Sequence, residues 1–444
     1  MLIFKNKNKK KQKKKTFLNK HEKAINLENQ NKKYLRIKKK IYSLDKRKSS
    51  FSPLIKIIII LVIILIIYLI ISVLFKPFNI HKLSNNENEN IKNNTKRIIY
   101  SREEALTRGR NYLNICLEGK LINNQKFTRS NEPKISVIIP IYNSNDFIKP
   151  TILSVQNQKM TEIEIILVND FSMDNSSLVL EELKKEDSRI KIINNEKNMG
   201  ILYSRCIGVL EAKGKYILNL DHDDFFLDDD VFDVLYEEAE NGNFDIVSFM
   251  EVEIRDLNAN IDEMKDGILT YHPDGLIVKQ PELPYFPFFK NESFTFVDIQ
   301  IWGKIFKTEV YKKAVNLLGK ERYSVYNAIN EDNIGVFSIC IVAETYKYVR
   351  KYGIFHRIGH NSALRRASHD HAKEMMIFFI DITFDLSKNE YKKYAVFMAN
   401  SFDLNNLNGH NKLYLNKVLK KILNCEYIDE KYKEKINKKY KNIL

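Results

Sequence analysis

The sequence lacks the cysteine pattern of a zinc protein. It has 4 cysteines in 444 residues, at positions 116, 206, 340 and 425, and no two of them form a CxxC pair. Structural zinc sites are ordinarily built from closely spaced Cys and His ligands, so zinc is not expected here. In an oxidising compartment these cysteines could pair as disulfides, but their spacing does not determine which would pair.

Acidic residues are nearly missing from the first 56 positions. Residues 1–56 hold 20 Lys and Arg against three acids (Glu22, Glu28 and Asp45), a net charge of +17. Because the whole chain carries +16, the remaining residues are close to neutral, with 52 basic and 53 acidic residues. The basicity therefore belongs to a tail, and the rest of the chain does not have the charge of a nucleic-acid-binding protein.

Charge is also absent from residues 57–75, IIIILVIILIIYLIISVLF, which lie between Lys56 and Lys76. A helix of this length, at about 1.5 Å per residue, spans roughly the 30 Å hydrocarbon core, so a transmembrane helix is predicted. The run is too long for the apolar part of a signal peptide, and no small-residue cleavage site follows it. The positive-inside rule puts the tail in the cytosol and residues 76–444 across the membrane, as in a single-pass type II protein of the Golgi or ER with a luminal catalytic domain.

Residues 76–132 are mostly polar and predict a flexible stem. Within it, the apolar spacing of Ser101–Leu117 predicts one helix, which Ser101 and Glu104 begin as a capping box. We expect this helix to pack on the domain that follows.

Apolar runs alternate with helical patterns from residue 134 onward. This order, with short links, predicts a mostly parallel α/β sheet with helices on both faces. Ligands of such sheets bind beyond the carboxyl ends of the strands. Polar groups follow all four runs, namely Tyr142-Asn143, Asn169-Asp170, Asn198 to Gly200, and Asp221 to Asp224.

The fourth run ends in the acidic sequence DHDD, residues 221–224. If the strand continues through it, side chains alternate between faces, so Asp221 and Asp223 point the same way. Two carboxylates on one side suit a hard divalent cation, whereas the alternative is an acidic loop that only caps the next helix. For Asp228–Asp230, the N-cap and first turn of a helix over 231–240 is favoured over metal binding.

The four strand-end motifs, VIIPIYN, ILVNDFSMDNS, NEKNMGILYSR and NLDHDD, resemble the N-terminal half of the family 2 glycosyltransferases. The resemblance runs from about residue 133 to 235 and continues more weakly through IWGKIF, NEDN and YGIFHRIGHNS. It implies a Rossmann-like GT-A fold with a nucleotide-sugar-binding half at 133–240 and an acceptor-binding half at 241–366. Residues 367–444 follow as a helical C-terminal region.

The resemblance also implies a role for each matching residue. The nucleotide-sugar donor would contact Pro140, Tyr142, Asn143, Asp170, Asn198, Gly200, Arg205, Asp221 and Arg357. Mn²⁺ or Mg²⁺ would be held on the diphosphate by two of Asp221, Asp223 and Asp224. Trp302 and Lys304 would serve the acceptor, although Trp302 could equally be a core aromatic. Asp332, with Glu331 beside it, would be the general base, or residues 330–332 would only cap a helix.

The function implied is an inverting, metal-dependent glycosyltransferase that moves a sugar from a nucleotide-sugar, expected to be a UDP-sugar, to a hydroxyl of a glycan or glycoconjugate. The alternative is a membrane-anchored GT-A-fold module that binds without catalysis. Nucleotidyl transfer would need a Gly-rich phosphate loop, which residues 140–146 lack. A glycosidase would need two facing catalytic carboxylates, and no pattern in the sequence predicts such a pair.

A local cationic cluster could clamp the diphosphate once the donor is bound. It consists of His356, Arg357, His360, Arg365 and Arg366.

Overall fold

The structure is a computed structural model that describes residues 100–122, 127–255, 263–266, 272–290, 293–294, 298–326, 331–358, 368–404 and 407–444. The basic tail, the apolar run at 57–75 and the first part of the predicted stem lie outside these ranges. None of the helices within the described ranges is long and apolar enough to cross a bilayer. The transmembrane helix over 57–75 therefore stays a prediction.

The first half of the fold is the predicted alternation of strands and helices. Its strands are β1 (Ile135–Ile141), β2 (Ile163–Asn169), β3 (Ile190–Asn194) and β4 (Tyr216–Asn219), and α1 (Arg102–Leu117), α2 (Ile148–Gln156), α3 (Ser176–Glu186) and α4 (Ile201–Glu211) are its helices. The four strands are parallel, in the order β3-β2-β1-β4. Every residue of β1 and β2 is buried, which explains their continuous apolar sequence.

The second half extends the same sheet with strands of mixed direction. It contains β5 (Phe225–Phe226), α5 (Val231–Gly242), β6 (Ile246–Ile254), β7 (Lys265–Asp266), β8 (Ile277–Lys279), the hairpin β9 (Phe289–Lys290) and β10 (Ser293–Phe294), β11 (Lys304–Lys307), α6 (Thr308–Leu318), α7 (Lys320–Tyr323), α8 (Glu331–Val342) and β12 (Thr345–Arg357). The full order is β3-β2-β1-β4-β11-β6-β12-β5, with β7 beside β6 and β8 beside β12. Antiparallel β11 joins the parallel part to β6, so both halves share one sheet.

The C-terminal helices share the core of the sheet. They are α9 (His369–Leu386), α10 (Lys393–Ser401), α11 (Gly409–Leu423) and α12 (Glu430–Lys439), with a 3₁₀ turn at Asn389–Tyr391. Phe379 of α9 lies with its ring centroid 5.5 Å from Phe288 and 5.9 Å from Phe337 of α8. The predicted helical region is thus packed into the second half.

Helix α1 forms where the sequence predicts it, with the capping box of Ser101 and Glu104 in place. Its buried face forms a small core with β5, β6 and β12, including Leu106, Leu227 and Phe355. Helix α1 is therefore an integral part of the fold.

The close approach of α1 to this core depends on the absence of a side chain at Gly109. A Cβ at Gly109 would lie 2.6 Å from Cγ of Leu227 and 2.9 Å from Cζ of Phe355. We expect Gly109→Val to lower the free energy of unfolding by about 1–3 kcal/mol through overpacking. Urea denaturation measures this. The matched control is Gly409→Val, because nothing lies within 4 Å of a Cβ built there. Equal effects of the two substitutions would contradict the packing described here.

Candidate functional site

The loops that follow β1 and β2 are tied together at the carboxyl edge of the sheet. The backbone of Asn143 adopts φ +49°, a left-handed conformation that Asn tolerates. Its side-chain oxygen accepts a hydrogen bond from the Met173 amide at 2.9 Å, and its own amide donates to Ser172 Oγ at 3.1 Å. Tyr142 and Phe171 are exposed on the same two loops, so this edge presents aromatic surface to solvent. Pro140 is buried within β1.

Asp170, at the end of β2, organises the loop that leads into α4. Its carboxylate accepts hydrogen bonds from the side chain of Asn195 and from the amides of Met199 and Gly200, each at 2.8 Å. The Asn198 side chain also accepts from the Gly200 amide, at 3.1 Å. These bonds all lie within the chain, so the predicted contact of Asp170 with a nucleotide base stays a prediction.

Arg205 of α4 is the centre of the site. Its guanidinium donates to Asp221 Oδ1 and to Asp332 Oδ1, both at 2.6 Å, and lies 3.4 Å from Glu331 Oε1. The side chain is 1% exposed, so these ion pairs are held away from water. The structure therefore brings together four residues that the sequence placed in three separate motifs.

The buried position of this cluster shifts the protonation of its carboxyl groups. Burial and the neighbouring charge of Asp332 raise the pKa of Glu331 to about 7, although Arg205 opposes the shift. Burial likewise raises the pKa of Asp332 against the opposing effect of Arg205. For Arg205, burial alone would lower the pKa, but the charges of Asp221 and Asp332 outweigh it and raise it. The cluster thus keeps one permanent cation among carboxyl groups that are reluctant to ionise together.

The DHDD segment is a turn rather than the end of a strand. Strand β4 ends at Asn219, and the Asp224 amide donates to the Asp221 carbonyl at 3.1 Å. The prediction assumed that strand alternation puts Asp221 and Asp223 on the same face. That assumption was wrong, because the strand ends before Asp221. Both side chains are nonetheless half-buried at the carboxyl edge of the sheet.

Asp224, the third candidate metal ligand, faces the interior. Its oxygens lie 3.1 Å from His356 Nδ1 and accept from the Arg357 amide at 2.9 Å, so β12 engages both of them. Burial raises the pKa of Asp224 to about 6, opposed by His356. Burial lowers the pKa of His356, but the negative charge of Asp224 outweighs burial and raises this pKa to about 10. The imidazole ring is therefore protonated at neutral pH. Asp224 is buried, whereas Asp221 and Asp223 are half-buried.

Trp302 and Lys304 are both buried beneath the site. Trp302 stacks on His356 with 4.6 Å between ring centroids. Lys304 Nζ donates to Asp298 Oδ1 at 2.6 Å, and the other Asp298 oxygen accepts from Tyr346. Both residues thus have structural partners, and their predicted contact with the acceptor stays a prediction.

Arg357 has polar atoms without a partner in the described part of the chain. Its guanidinium lies over the ring of Phe147, 3.9 Å from the centroid. Nε and Nη1 are buried and have no hydrogen-bond partner among the described residues. A desolvated cation of this kind favours an anionic ligand. Of the predicted cationic cluster, His360, Arg365 and Arg366 lie outside the described residues.

The acidic run Asp228–Asp230 brings three carboxylate oxygens within 4.8 Å of one another, the only such cluster in the described ranges. Asp230 occupies the N-cap position of α5 but makes no side-chain capping bond. The cluster is instead neutralised by cations. Asp228 pairs with Arg108 and Lys351, Asp229 with Lys159, and Asp230 with Lys351. The sequence favoured a helix N-cap here, and Asp230 does occupy that position, whereas the preference against metal binding stays a prediction.

The pairing of Asp224 with His356 and the ion pair of Lys304 with Asp298 were missed at the level of sequence. Asp224 and His356 are 132 residues apart and meet only in the folded chain. Asp298 lies six residues before Lys304 but belongs to no motif. The four cysteines are free thiols, which leaves no disulfide to explain the fold.

Comparison with known proteins relates part of the chain to a family. Residues 136–301 match the sequence model described as Glycosyl transferase family 2. The uncharacterized glycosyltransferase EpsJ of Bacillus subtilis is 32% identical over 193 residues, which are 43% of this chain and 52% of EpsJ. The cholesterol galactosyltransferase of Borreliella burgdorferi is 31% identical over 241 residues, 52% of this chain and 62% of that protein. The chain thus spans about half to three-fifths of these relatives.

A solved structure shares the fold. The crystal structure of S. aureus TarS 1-349 in complex with UDP-GlcNAc superimposes with a TM-score of 0.51 and 15% identity, over 70% of this chain and 90% of that one. At 15% identity, this likeness supports a shared fold and nothing further. It agrees with the GT-A fold that the sequence predicts.

The raised pKa of Glu331 predicts a pH-dependent stability. The folded protein keeps a proton on Glu331 up to about pH 7, above the ordinary value of 4.5. The stability from this proton is therefore present below pH 4.5 and is lost as the pH rises through 7. We expect Glu331→Gln to unfold like wild type at pH 4.5 and to be more stable by about 1–2 kcal/mol at pH 8.

Urea denaturation in the presence of EDTA measures this difference. The control is Glu182→Gln, since Glu182 is exposed on α3 and remote from the cluster. If wild type and Glu331→Gln change in parallel with pH, the proposed proton on Glu331 is contradicted.

Proposed function

We propose that this chain transfers a sugar from a nucleotide-sugar to a hydroxyl of a glycan or glycoconjugate, because residues 136–301 match the sequence model of the family 2 glycosyltransferases. The observation that carries the proposal is the cluster in which Arg205 joins Asp221, Glu331 and Asp332 at the carboxyl edge of the sheet. A UDP-sugar is the proposed donor, supported by the UDP-GlcNAc bound to TarS.

The donor would lie across the strand ends of the first half. Tyr142, Asn143 and the loop held by Asp170 would receive the nucleoside, because an exposed aromatic ring and amide groups suit a planar base. The diphosphate would lie towards Arg357, whose buried nitrogen atoms have no partner among the described residues. Supplying those partners would remove a desolvation cost and favour binding.

The accessible carboxylates fit a divalent cation at the diphosphate. Mg²⁺ is commonly held through one or two carboxylates together with substrate phosphates, and Asp221 and Asp223 offer oxygen ligands of that kind. Asp223 and the second oxygen of Asp221 would hold Mn²⁺ or Mg²⁺. The bound ion would stabilise the negative charge that develops on the leaving nucleoside diphosphate.

Asp332 is the proposed general base. An acceptor hydroxyl is a weak nucleophile unless its proton is taken as it attacks. One oxygen of Asp332 is fixed by Arg205, so the carboxylate has a defined orientation and a second oxygen for the acceptor. Its raised pKa makes it more basic than an ordinary aspartate. A single displacement of this type inverts the anomeric configuration.

The proposed anchor at residues 57–75 would make the chain a single-pass type II membrane protein of the Golgi or ER.

The metal assignment predicts loss of donor turnover in Asp223→Ala. We expect the full-length chain to hydrolyse one member of a nucleotide-sugar panel with Mn²⁺ present, and EDTA or Asp223→Ala to lower turnover about 100-fold or more. Asp229→Ala is the matched control, because Asp229 belongs to the neutralised acidic run and its loss should leave turnover intact. If donor turnover is unchanged by EDTA and by Asp223→Ala, the assignment of Asp223 as a metal ligand is contradicted. A chain that binds UDP but turns over no donor is the non-catalytic module.

The base assignment predicts a separation of rate from binding. Asp332→Asn keeps an oxygen that can accept from Arg205, so the fold should persist, while kcat should fall about 10²- to 10⁴-fold. The affinity for UDP, measured by calorimetry, should change little, since the proposed base contacts the acceptor. Glu331→Gln is the companion variant. If it loses turnover and Asp332→Asn does not, Glu331 is the base.

A further inference from the structure

A groove of about 750 Å³ lies between α9 and α11 on the C-terminal region. None of its lining residues belongs to the candidate site. Met375 and Phe378 of α9 form its base and are nearly buried, whereas Leu413 of α11 stands at its side with 72% of its surface exposed. The volume is that of a small-molecule site, which commonly encloses roughly 300–1,000 Å³.

Helix α11 has a second apolar position outside its core face. Leu415, Leu419 and Ile422 face the interior and are buried. Leu413 points away from that stripe into the groove, where it leaves an aliphatic side chain in water. Exposed leucines are common singly, but one that borders an apolar groove extends a continuous surface that an apolar ligand can cover.

Cations follow Leu413 along the same face. Lys417 and Lys420 lie four and seven residues further on, one and two helical turns away, and both line the groove. Neither ammonium group has an ion-pair partner among the described residues. The adjacent Lys421, by contrast, pairs with Asp381 and Asp385. Glu374, which is the acid that lines the groove, has its Oε2 atom 3.7 Å from His371 Nδ1.

The positive charge of the groove lies on its α11 side, because α9 carries four acids against one lysine. Residues 407–444 hold ten lysines against four acids, a net charge of +6. Residues 57–406 carry a net charge of −7, so the excess of basic residues beyond residue 56 is concentrated in this last part. The groove is therefore apolar along its base and positive along one rim.

We propose that this groove binds an anionic phospholipid of a bilayer. The acyl chain would lie on Met375, Phe378 and Leu413, and the headgroup phosphate would bind Lys417 and Lys420. A free phosphate would use the lysines but leave the apolar base uncovered, and a neutral lipid would leave the lysines unpaired. The apolar run at residues 57–75 independently predicts that the chain resides at a bilayer. The proposal does not depend on glycosyl transfer.

The chain offers a direct optical test, because its only tryptophan, Trp302, is buried. Leu413→Trp places a second indole in the groove. We expect vesicles of brominated phosphatidylglycerol to quench the fluorescence that the new indole adds to the full-length chain. Leu178→Trp on α3 is the matched control, since Leu178 is 67% exposed and lies outside the groove. Its added fluorescence should be quenched little.

The lysines are tested in the Leu413→Trp background. Neutralising one lysine near an anionic membrane weakens binding by about fivefold, so Lys417→Gln with Lys420→Gln should raise the concentration of anionic lipid needed for half-quenching by roughly 25-fold. Lys421→Gln, which removes a paired lysine, should shift it less. Hydrolysis of the nucleotide-sugar donor by each variant shows that its fold is intact. If wild type hydrolyses no donor, that result contradicts the proposed transferase activity and not the lipid site.

Three results would overturn the proposal. The first is equal quenching at positions 413 and 178, and the second is no quenching at 413 by lipid with an intact fold. The third is quenching that brominated phosphatidylcholine produces as strongly as the anionic lipid. Protection of the indole introduced by Leu413→Trp by an acidic amphipathic peptide but not by lipid would assign the groove to a protein partner instead.

Discussion

The candidate site depends on one buried cation. Arg205 reaches from α4 to Asp221 after β4 and to Asp332 at the start of α8, with 2.6 Å between the paired atoms in each case. A guanidinium taken out of water is costly unless charged partners surround it. Its pairing therefore fixes the relative position of the first half of the fold, which supplies α4 and β4, and the second half, which supplies α8. The proposed metal ligand and the proposed base are held apart and aligned by the same side chain.

The charge balance around Arg205 explains why a second cation suits the site. One guanidinium faces Asp221, Glu331 and Asp332, and Asp223 lies close by on the DHDD turn. Glu331 responds by holding its proton to about pH 7. On the other side of the turn, protonated His356 already balances Asp224. Among the described residues around Arg205, carboxyl groups thus outnumber its guanidinium, and that is where a divalent ion with a diphosphate would be attracted.

The sequence predicts the part of the fold that local pattern controls. Strands β1 to β4 are buried runs separated by amphipathic helices, and their polar ends gather at one edge because parallel strands end together. The contact of Arg205 with Asp332 spans 127 residues, and no local pattern encodes it. The DHDD turn shows the same limit, because alternation holds only inside a strand and β4 ends at Asn219. Asp224 was therefore a candidate ligand until the position of β12 was known.

The helix before the sheet also acts on the site through packing. The predicted stem gave no reason to connect α1 with catalysis, yet α1 packs on Leu227 and Phe355, which lie within a few residues of Asp224 and next to His356. Arg108 of α1 holds Asp228 from one side, and Lys351 of β12 holds it from the other. Because close-packed interiors transmit displacement, a shift of α1 would move the DHDD turn against β12. The segment that follows the DHDD turn is thus held partly by residues that precede the matched region 136–301.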